Sequence, residues 1–365
     1  MNNLHEPGNS RFRMVIVLCM TVFSIAACGT ATPATETTEA QTQDQTLQIT
    51  TPEALDTVTV GIFGLSSDAA VFIAIDRGYF RDQGIHVETS QFTALSDMIP
   101  ALATGQLDVG NANTGAALFN ALGTDYGLKI VADNATIEEG RDGSALVLRQ
   151  ELADTIASPA DLRGLRIGAV ANGGTPTHIC LEELLETVGM TSEDVELTQL
   201  PFPAMGAALA NGAVEGAIIV EPFLSAGLSQ GLFVTYRGMG EICAGREVNV
   251  QVYSADFAAQ TDLARRFAVA RLRGARDFND AFFKNIDRDA IVDILTRYTA
   301  LTDPALYENL GLTTMNPNGM VSIESLTADL AWYVEHEFVP EGFDVRLGID
   351  TNFAEYAVEV LGVYE

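Results

Sequence analysis

An internal repeat limits the folds open to this chain more than any other feature. Residues 98–110 and 205–217 have the same pattern, and each predicts a helix, a glycine stop and a short apolar strand. Gly105 and Gly212 fit the left-handed position that ends many helices and that glycine adopts at little cost. The two halves of the chain are therefore expected to fold alike.

The repeat also includes the strands that precede these helices. Residues 60–62 and 167–169 are short apolar strands, and they lie 107 positions apart, as Gly105 and Gly212 do. Each unit is predicted to run strand, helix, strand, helix, strand. Short β-branched strands alternating with helices are typical of parallel α/β sheets. We predict an α/β protein with two lobes and a cleft between them.

Ligands of open α/β sheets bind beyond the carboxyl ends of the strands. Four loops are predicted there, at 63–68, 111–115, 171–178 and 220–223, and three of them open helices whose free N–H groups can bind an acceptor. Plausible helix caps are Ser67 or Asp68, Thr114 and Thr175. The predicted ligand-binding residues are Ser66, Ser67, Asp68, Asn113, Thr114, Gly174, Thr175, Thr177, His178, Glu221 and Phe223.

The N-terminus has the pattern of an export signal. An apolar run of 14 residues begins at Met14, follows Arg11 and Arg13, and ends just before Cys28. It is too short to span a membrane, and Ile25-Ala26-Ala27-Cys28 is similar to a bacterial lipobox. We predict a lipoprotein signal peptide at 1–27, a lipid on Cys28, and a disordered tether at 28–56. The protein is expected on the extracytoplasmic face of the cell membrane.

Composition narrows the range of partners and cofactors. A formal net charge of −29 opposes binding to nucleic acid or to anionic lipid headgroups. Apart from Cys19 in the signal and Cys28 at the lipid site, only Cys180 and Cys243 remain; in an oxidising compartment they could pair, although two separately buried thiols are favoured. With four histidines and no metal-ligand spacing, we predict no metal site and no cofactor.

Three segments carry a family resemblance. Residues 72–85 contain Ala74-x-x-x-Gly78-Tyr79-Phe80-x-x-x-Gly84-Ile85, which resembles a segment of the solute-binding proteins of ABC importers. Residues 158–168 resemble the entry into lobe two, and residues 212–217 with Glu221-Pro222-Phe223 resemble its exit. The similar branch includes sulfonate-, nitrate- and taurine-binding proteins and thiamine-pyrimidine-synthase-like proteins.

The resemblance implies a type II periplasmic-binding-protein fold that closes on its ligand by a hinge. Lobe one would comprise 57–148 and 250–365, lobe two would comprise 149–249, and the crossovers would lie near 148–150 and 248–251. The implied partner of this monomer is a membrane permease driven by a separate ATPase. This chain has no Gly-x-x-x-x-Gly-Lys-(Ser/Thr) motif and so is not that ATPase.

The same fold also serves a pyrimidine synthase of thiamine biosynthesis. That enzyme class needs a pyridoxal-phosphate lysine, a cysteine-rich motif and a reactive histidine. Lys129 and Lys284 are the only lysines here, both are predicted to lie away from the cleft, and the cysteines are not clustered. We therefore expect binding without catalysis.

The ligand prediction favours a neutral aromatic compound. Asp68 and Glu221 suit a heterocycle that carries N–H groups, and Phe63, Phe202 and Phe223 could stack on its ring. By resemblance riboflavin is favoured. The alternatives are a thiamine pyrimidine precursor, an aliphatic sulfonate or nitrate near Arg141, and a ligand sensor for a membrane receptor.

Overall fold

The computed structural model describes residues 55–141, 143–171 and 174–365. The predicted signal peptide, Cys28 and all but the last two residues of the predicted tether lie outside the described residues. Sheet one contains β1 (Asp56–Ile62), β2 (Ile85–Gln91), β3 (Val109–Asn113), β4 (Lys129–Thr136) and β10 (Glu247–Tyr253). Sheet two contains β5 (Ser144–Leu148), β6 (Arg166–Ala169), β7 (Glu196–Gln199), β8 (Gly216–Val220) and β9 (Val234–Gly238).

The two sheets have the same topology. Their strand orders are β2-β1-β3-β10-β4 and β7-β6-β8-β5-β9. The three strands of each predicted repeat are parallel, whereas β10 and β5 run antiparallel to their neighbours. The predicted repeat is confirmed, and it extends to all five strands, because β5 occupies in sheet two the place that β10 occupies in sheet one.

Strand pairing places the first crossover earlier in the chain than the sequence predicted. β5 pairs with β8 and β9, so residues 144–148 belong to lobe two and the chain crosses within 137–143. It returns within 239–246, between β9 and β10. The sequence-based boundary assigned β5 to lobe one because an antiparallel strand that follows a crossover has no distinctive local pattern.

Helices cover both faces of each sheet. Lobe one has α1 (Ala69–Asp76), α2 (Tyr79–Asp82), α3 (Leu95–Ala103), α4 (Ala116–Leu122), α9 (Ala255–Ala259), α10 (Thr261–Phe283), α11 (Arg288–Tyr298), α12 (Ile323–Glu335) and α13 (Asn352–Leu361). Lobe two has α5 (Pro176–Glu186), α6 (Phe202–Ala210), α7 (Phe223–Ser229) and α8 (Met239–Ile242).

Each lobe therefore has a buried core on either side of its sheet. In lobe one, α1 and α10 pack on one face, and α3, α4 and α12 pack on the other. In lobe two, α5 and α8 oppose α6 and α7. Gly105 and Gly212 have φ values of 68° and 77°, as their predicted role as helix stops requires. Among the described helices, none combines the length and the apolar character needed to cross a membrane.

The basic run in α10 mostly makes contacts within the protein. Arg266 forms a salt bridge with Asp56, and Arg273 forms one with Asp82. Arg271 is only 1% exposed and lies within the core of lobe one. This helix is thus largely engaged in packing and salt bridges.

A disulfide joins Cys180 in α5 to Cys243, which follows α8. Of the two alternatives that the sequence left open, the structure has the paired one. Because the bond closes a long loop within lobe two, it restricts the unfolded chain and stabilises this lobe.

Candidate functional site between the lobes

The four predicted loops follow the central strands of the two sheets. β1 and β3 are neighbours in sheet one, and β6 and β8 are neighbours in sheet two. After them the chain enters α1, α4, α5 and α7. Parallel strands end at one edge of a sheet, so each lobe presents two of the four loops together.

Asp68 organises the first loop. Its Oδ2 atom accepts hydrogen bonds of 3.0 Å from the backbone nitrogens of Phe63 and Leu65, and its Oδ1 accepts one of 2.6 Å from Nδ2 of Asn111. The side chain is fully buried, and burial raises its pKa although these bonds oppose the shift. Asp68 therefore positions the loop after β1 against β3 and has little capacity left for a ligand.

Ser67 differs from Asp68 because its side chain makes no hydrogen bond within the protein. The residue is 7% exposed, and Oγ has no hydrogen-bond partner within the protein. It lies in a 3₁₀ turn, residues Ser66–Asp68, that leads directly into α1. A buried hydroxyl without a partner is costly, and a ligand at the start of α1 would satisfy it. Ser66 is half-buried in the same turn.

The second loop contributes less than predicted. Asn113 accepts a 3.1 Å hydrogen bond from the backbone nitrogen of Gly115, and the hydroxyl of the buried Thr114 donates one of 2.7 Å to the carbonyl oxygen of Glu247. The residue that caps α4 is Gly115 rather than Thr114. Thr114 thus holds the loop to the start of β10.

Lobe one touches lobe two at Gly174. The backbone nitrogen of Ala116 donates a 3.1 Å hydrogen bond to the carbonyl oxygen of Gly174. A Cβ atom placed on Gly115 would lie 2.6 Å from that same oxygen, so the contact requires glycine at 115. The loops that flank the predicted cleft are therefore in direct contact.

In the third loop, the threonines and the histidine have different environments. Thr175 is the N-cap residue of α5, as predicted, and its hydroxyl lies 3.1 Å from that of Thr177. His178 is buried and packs edge-on against Trp332 of α12, with 5.4 Å between ring centroids. Its place is in the packing between α5 and α12, whereas Thr177 is half-buried at the start of α5.

Glu221 in the fourth loop is bound within the protein. Its carboxyl oxygens accept bonds from the hydroxyl and the backbone nitrogen of Ser225, at 2.7 and 3.1 Å, and it also accepts one from the backbone of Gly311. Burial raises its pKa to about 7. Glu221 therefore ties lobe two to the C-terminal segment of lobe one.

Phe223 and Phe202 form a stacked pair at the start of α7 and α6. Their ring centroids are 6.5 Å apart, and both side chains are half-buried. They border an open groove of about 640 Å³ between the two helices, lined by Gly206, Ala207, Ala226 and Leu232 among others. The pair can contact an apolar part of a ligand from the lobe-two side.

Arg141, the basic residue that the sequence offered for an anion, is already engaged. The guanidinium carbon of Arg141 lies 3.8 Å from the ring centroid of Phe283, and its Nε is 3.3 Å from a carboxyl oxygen of Glu138. In the described part of the chain, no cluster of three His, Cys, Asp or Glu side chains is arranged to hold a metal ion. Helix N-termini and hydroxyls are thus the main polar groups of this site.

Sequence reasoning overlooked the residues that hold the loops in place. Asn111, Ser225 and Gly311 fix Asp68 and Glu221, although they lie elsewhere in the chain or were not singled out. A carboxyl that follows a strand directly has the same sequence signal whether it binds a ligand or a backbone amide. Only the partner distinguishes the two roles.

The model of the NMT1-like family matches residues 51–295, about two thirds of the chain. The chain belongs to the NMT1-like family. Its curated relatives include the taurine-binding periplasmic protein of Escherichia coli (strain K12), which is 27% identical over 231 residues, 63% of this chain and 68% of the relative. A second protein of that organism, described as aliphatic sulfonates-binding, is 26% identical over 263 residues, 70% of this chain and 76% of the relative.

Solved structures show that this NMT1-like protein has the two-lobed type II fold. The periplasmic nitrate-binding protein NrtA from Synechocystis PCC 6803 superposes with a TM-score of 0.71 at 16% identity, covering 85% of this chain and 90% of that one. The alkanesulfonate-binding protein SsuA from Xanthomonas axonopodis pv. citri gives 0.67 at 17%, covering 82% and 99%. The predicted fold class is confirmed.

The fold of this NMT1-like chain also occurs in an enzyme. The desulfurization enzyme DszB superposes with a TM-score of 0.61 at 14% identity, covering 84% of this chain and 99% of that one. The fold alone therefore does not distinguish a binding protein from an enzyme. That distinction depends on the residues of the site.

Proposed function

We propose that this protein is the extracytoplasmic solute-binding component of an ABC importer and that it captures a small sulfonate-type or nitrate-type anion between its lobes. The named relatives bind taurine or aliphatic sulfonates. The observation that carries the proposal is the buried, unpartnered hydroxyl of Ser67 at the start of α1. A buried hydroxyl at the N-terminal end of a helix suits an oxyanion.

The second lobe supplies a similar set of groups. α5 begins at Pro176, and Thr177 in its first turn is half-buried. Pro176 has no N–H group, and the backbone nitrogen of His178 donates to the carbonyl oxygen of Thr175, so Thr177 supplies the N–H and the hydroxyl that can bind the far side of the same anion. Closure of the lobes then gives the ligand contacts from both sides, and the closed form docks on the permease.

The main argument for a neutral heterocycle as the ligand no longer holds. It relied on free carboxylates at Asp68 and Glu221, and both carboxyls already accept hydrogen bonds from neighbouring residues. The relatives described above are named for taurine, sulfonates and nitrate rather than for a flavin. Riboflavin and a thiamine pyrimidine precursor remain as competing ligands, and the exposed sides of Phe202 and Phe223 are the features that favour them.

Binding without chemistry is supported by where the reactive side chains lie. Lys129 donates to the carbonyl oxygen of Leu347 and Lys284 to that of Glu365, so neither reaches the cleft loops. Cys180 and Cys243 are joined to each other. The described residues therefore offer neither a Schiff-base lysine nor a free thiol at this site.

A melting experiment with a panel of solutes tests the proposal. The purified protein, unfolded and refolded to remove bound solute, is melted with taurine, an aliphatic sulfonate, nitrate, riboflavin or a hydroxymethylpyrimidine. A solute at about 100 times its dissociation constant adds roughly 2.7 kcal/mol, a shift of several degrees. We expect a shift with a sulfonate or with nitrate. A shift with riboflavin or the pyrimidine alone would overturn the anion proposal, and no shift with any of them would contradict it.

A further inference from the structure

Helix α5 of lobe two packs against both lobes. Ile179 is 2% exposed and belongs to the apolar core that α4, α12 and β10 form in lobe one. His178 beside it packs edge-on against Trp332 of α12. Leu181 and Leu184, by contrast, belong to the core of lobe two. One side of α5 therefore forms an interface between the lobes.

The chain that returns to lobe one, 239–246, is bound to this helix at two points. Cys243 is joined to Cys180 by the disulfide, and Nη2 of Arg246 donates a 2.6 Å hydrogen bond to Oε1 of Glu183. Positions three apart are neighbours on a helix surface, so the two attachments lie one above the other on α5. The returning chain is therefore held to α5 as far as Arg246.

The same arginine also binds lobe one. Nη1 of Arg246 donates a hydrogen bond to Oδ1 of Asp329 in α12, and that carboxylate is 0% exposed. The side chain of Arg246 is 12% exposed, and that of Glu183 is 40% exposed. One guanidinium thus joins a buried carboxylate of lobe one to a half-buried carboxylate of lobe two.

Helix α12 is fixed within lobe one at its start. The backbone nitrogen of Ser322 donates a 2.5 Å hydrogen bond to Oε2 of Glu247, and the backbone nitrogen of Glu247 donates one of 2.9 Å to Oγ of Ser325. Glu247 is the first residue of β10 and follows Arg246 directly. Its carbonyl oxygen accepts the hydroxyl of Thr114 in the second cleft loop. Because α12 is bound to sheet one in this way, it stays with lobe one when the lobes move.

We propose that Arg246 is a latch between the lobes, which holds α5 of lobe two on α12 of lobe one. The first turn of α5 carries Thr177, so the latch also keeps this residue at the cleft. Arg246 is therefore a positioning residue that acts through α5 and does not touch the solute. The effect on solute affinity rests on the proposed function, whereas the effect on the α5–α12 contact does not.

Glu183 is the part of the latch that can be changed without damage to the core. Replacing Arg246 would leave the buried carboxylate of Asp329 without its guanidinium, so such a variant would test folding rather than the latch. Glu183→Gln removes the charge on the lobe-two side and keeps the size of the side chain. Glu186→Gln, at an exposed position three residues later on the same helix, is the matched control.

The single tryptophan of the chain is the probe of this contact. Trp332 is half-buried and packs against His178, so a quencher reaches its ring more easily when α5 moves away from α12. Fluorescence quenching by acrylamide is measured on the solute-free protein, since acrylamide is neutral and can be used at any salt concentration. The Stern–Volmer constant should be higher in Glu183→Gln than in the natural protein, and Glu186→Gln should match the natural protein.

Salt provides a second test that needs no variant. Raising NaCl from about 0.05 M to about 1 M screens a half-exposed ion pair such as Arg246–Glu183, so the Stern–Volmer constant of the natural protein should rise. Glu183→Gln should respond less, because it has already lost this pair. The latch is overturned if Glu183→Gln has the natural constant at low salt, if Glu186→Gln shows the same increase, or if salt has no effect on the natural protein.

Titration calorimetry with a solute that shifts the melting temperature tests the positioning role. Glu183→Gln should bind that solute about two- to fivefold more weakly, the range expected for one partly exposed ion pair, and Glu186→Gln should bind it as the natural protein does. Equal affinity in Glu183→Gln and the natural protein would overturn the positioning role. Because the quenching series contains no solute, failure of the latch and failure of the proposed function give separate results.

Discussion

The backbone nitrogen of Ala116 donates a 3.1 Å hydrogen bond to the carbonyl oxygen of Gly174, and this bond joins the two lobes at the edge of the cleft. Ala116 begins α4, and Gly174 lies two residues before the first residue of α5. The contact brings the second loop of lobe one against the third loop, in lobe two.

Ser67→Ala should weaken solute binding without weakening the fold. Its hydroxyl makes no bond within the protein, so the free energy of unfolding without solute should change by less than about 0.5 kcal/mol. Loss of one hydrogen bond to the solute should weaken binding about tenfold. Titration calorimetry measures this, with the exposed Ser229→Ala as control. Equal affinity in Ser67→Ala and the natural protein would remove Ser67 from the site.

Asp68→Ala should behave in the opposite way and destabilise the protein. The substitution leaves the backbone nitrogens of Phe63 and Leu65 and the amide of Asn111 without their acceptor. We expect a loss of roughly 2 to 4 kcal/mol in urea denaturation. Asp154→Ala, at an exposed position, is the matched control. If the Asp68→Ala protein is as stable as the natural protein but binds the solute poorly, Asp68 contacts the ligand directly.

Glu221 should make stability depend on pH near neutrality. Its pKa of about 7 in the folded protein lies above its ordinary value of 4.5, so the folded state holds a proton that the unfolded state releases. Stability should therefore fall as the pH rises from about 4.5 to about 7. Asp329, whose pKa burial also raises to about 7, adds to the same slope.

Glu221→Gln should remove part of that slope, because glutamine does not titrate. Urea denaturation at several pH values compares it with the natural protein, and Glu193→Gln at an exposed position outside the site serves as control. An unchanged slope would mean that Glu221 is not protonated in the folded protein. Glu221→Ala tests the heterocycle hypothesis separately: that hypothesis requires a large loss of riboflavin affinity.

Breaking the disulfide should cost several kcal/mol. Cys180 and Cys243 are 63 residues apart, and the entropy lost by the unfolded chain on closing such a loop corresponds to about 4 kcal/mol. Replacing both cysteines with alanine should lower the urea midpoint by the corresponding amount. A reductant should lower it in the natural protein and leave the double variant unchanged. Equal midpoints for the natural and double-variant proteins would show that the bond does not form.

Local signals made much of the fold predictable. Glycine stops at Gly105 and Gly212 and the recurring strands gave the three parallel strands of each lobe, because these patterns depend on short stretches of chain. The antiparallel strands β5 and β10 were not predicted. Each is inserted between strands that lie far from it in the sequence, and residues 144–148 alone do not indicate which lobe they join.

The site was predictable only as a set of loops. Thr175 was correctly expected at the start of α5, but the partners of Asp68 and Glu221 are Asn111 and Gly311, which lie 43 and 90 positions away. A carboxyl beside a strand does not reveal such a partner. The buried Glu247 escaped notice for a similar reason, since its partners Thr114 and Ser322 lie 133 and 75 positions away.

Hydrogen exchange with and without an aliphatic sulfonate tests capture between the lobes most directly. If the solute lies between α1 and α5, the backbone amides in the first turns of both helices should become protected together. Protection should be much reduced in Ser67→Ala at the same sulfonate concentration. Protection in one lobe only, or in neither, would contradict the account.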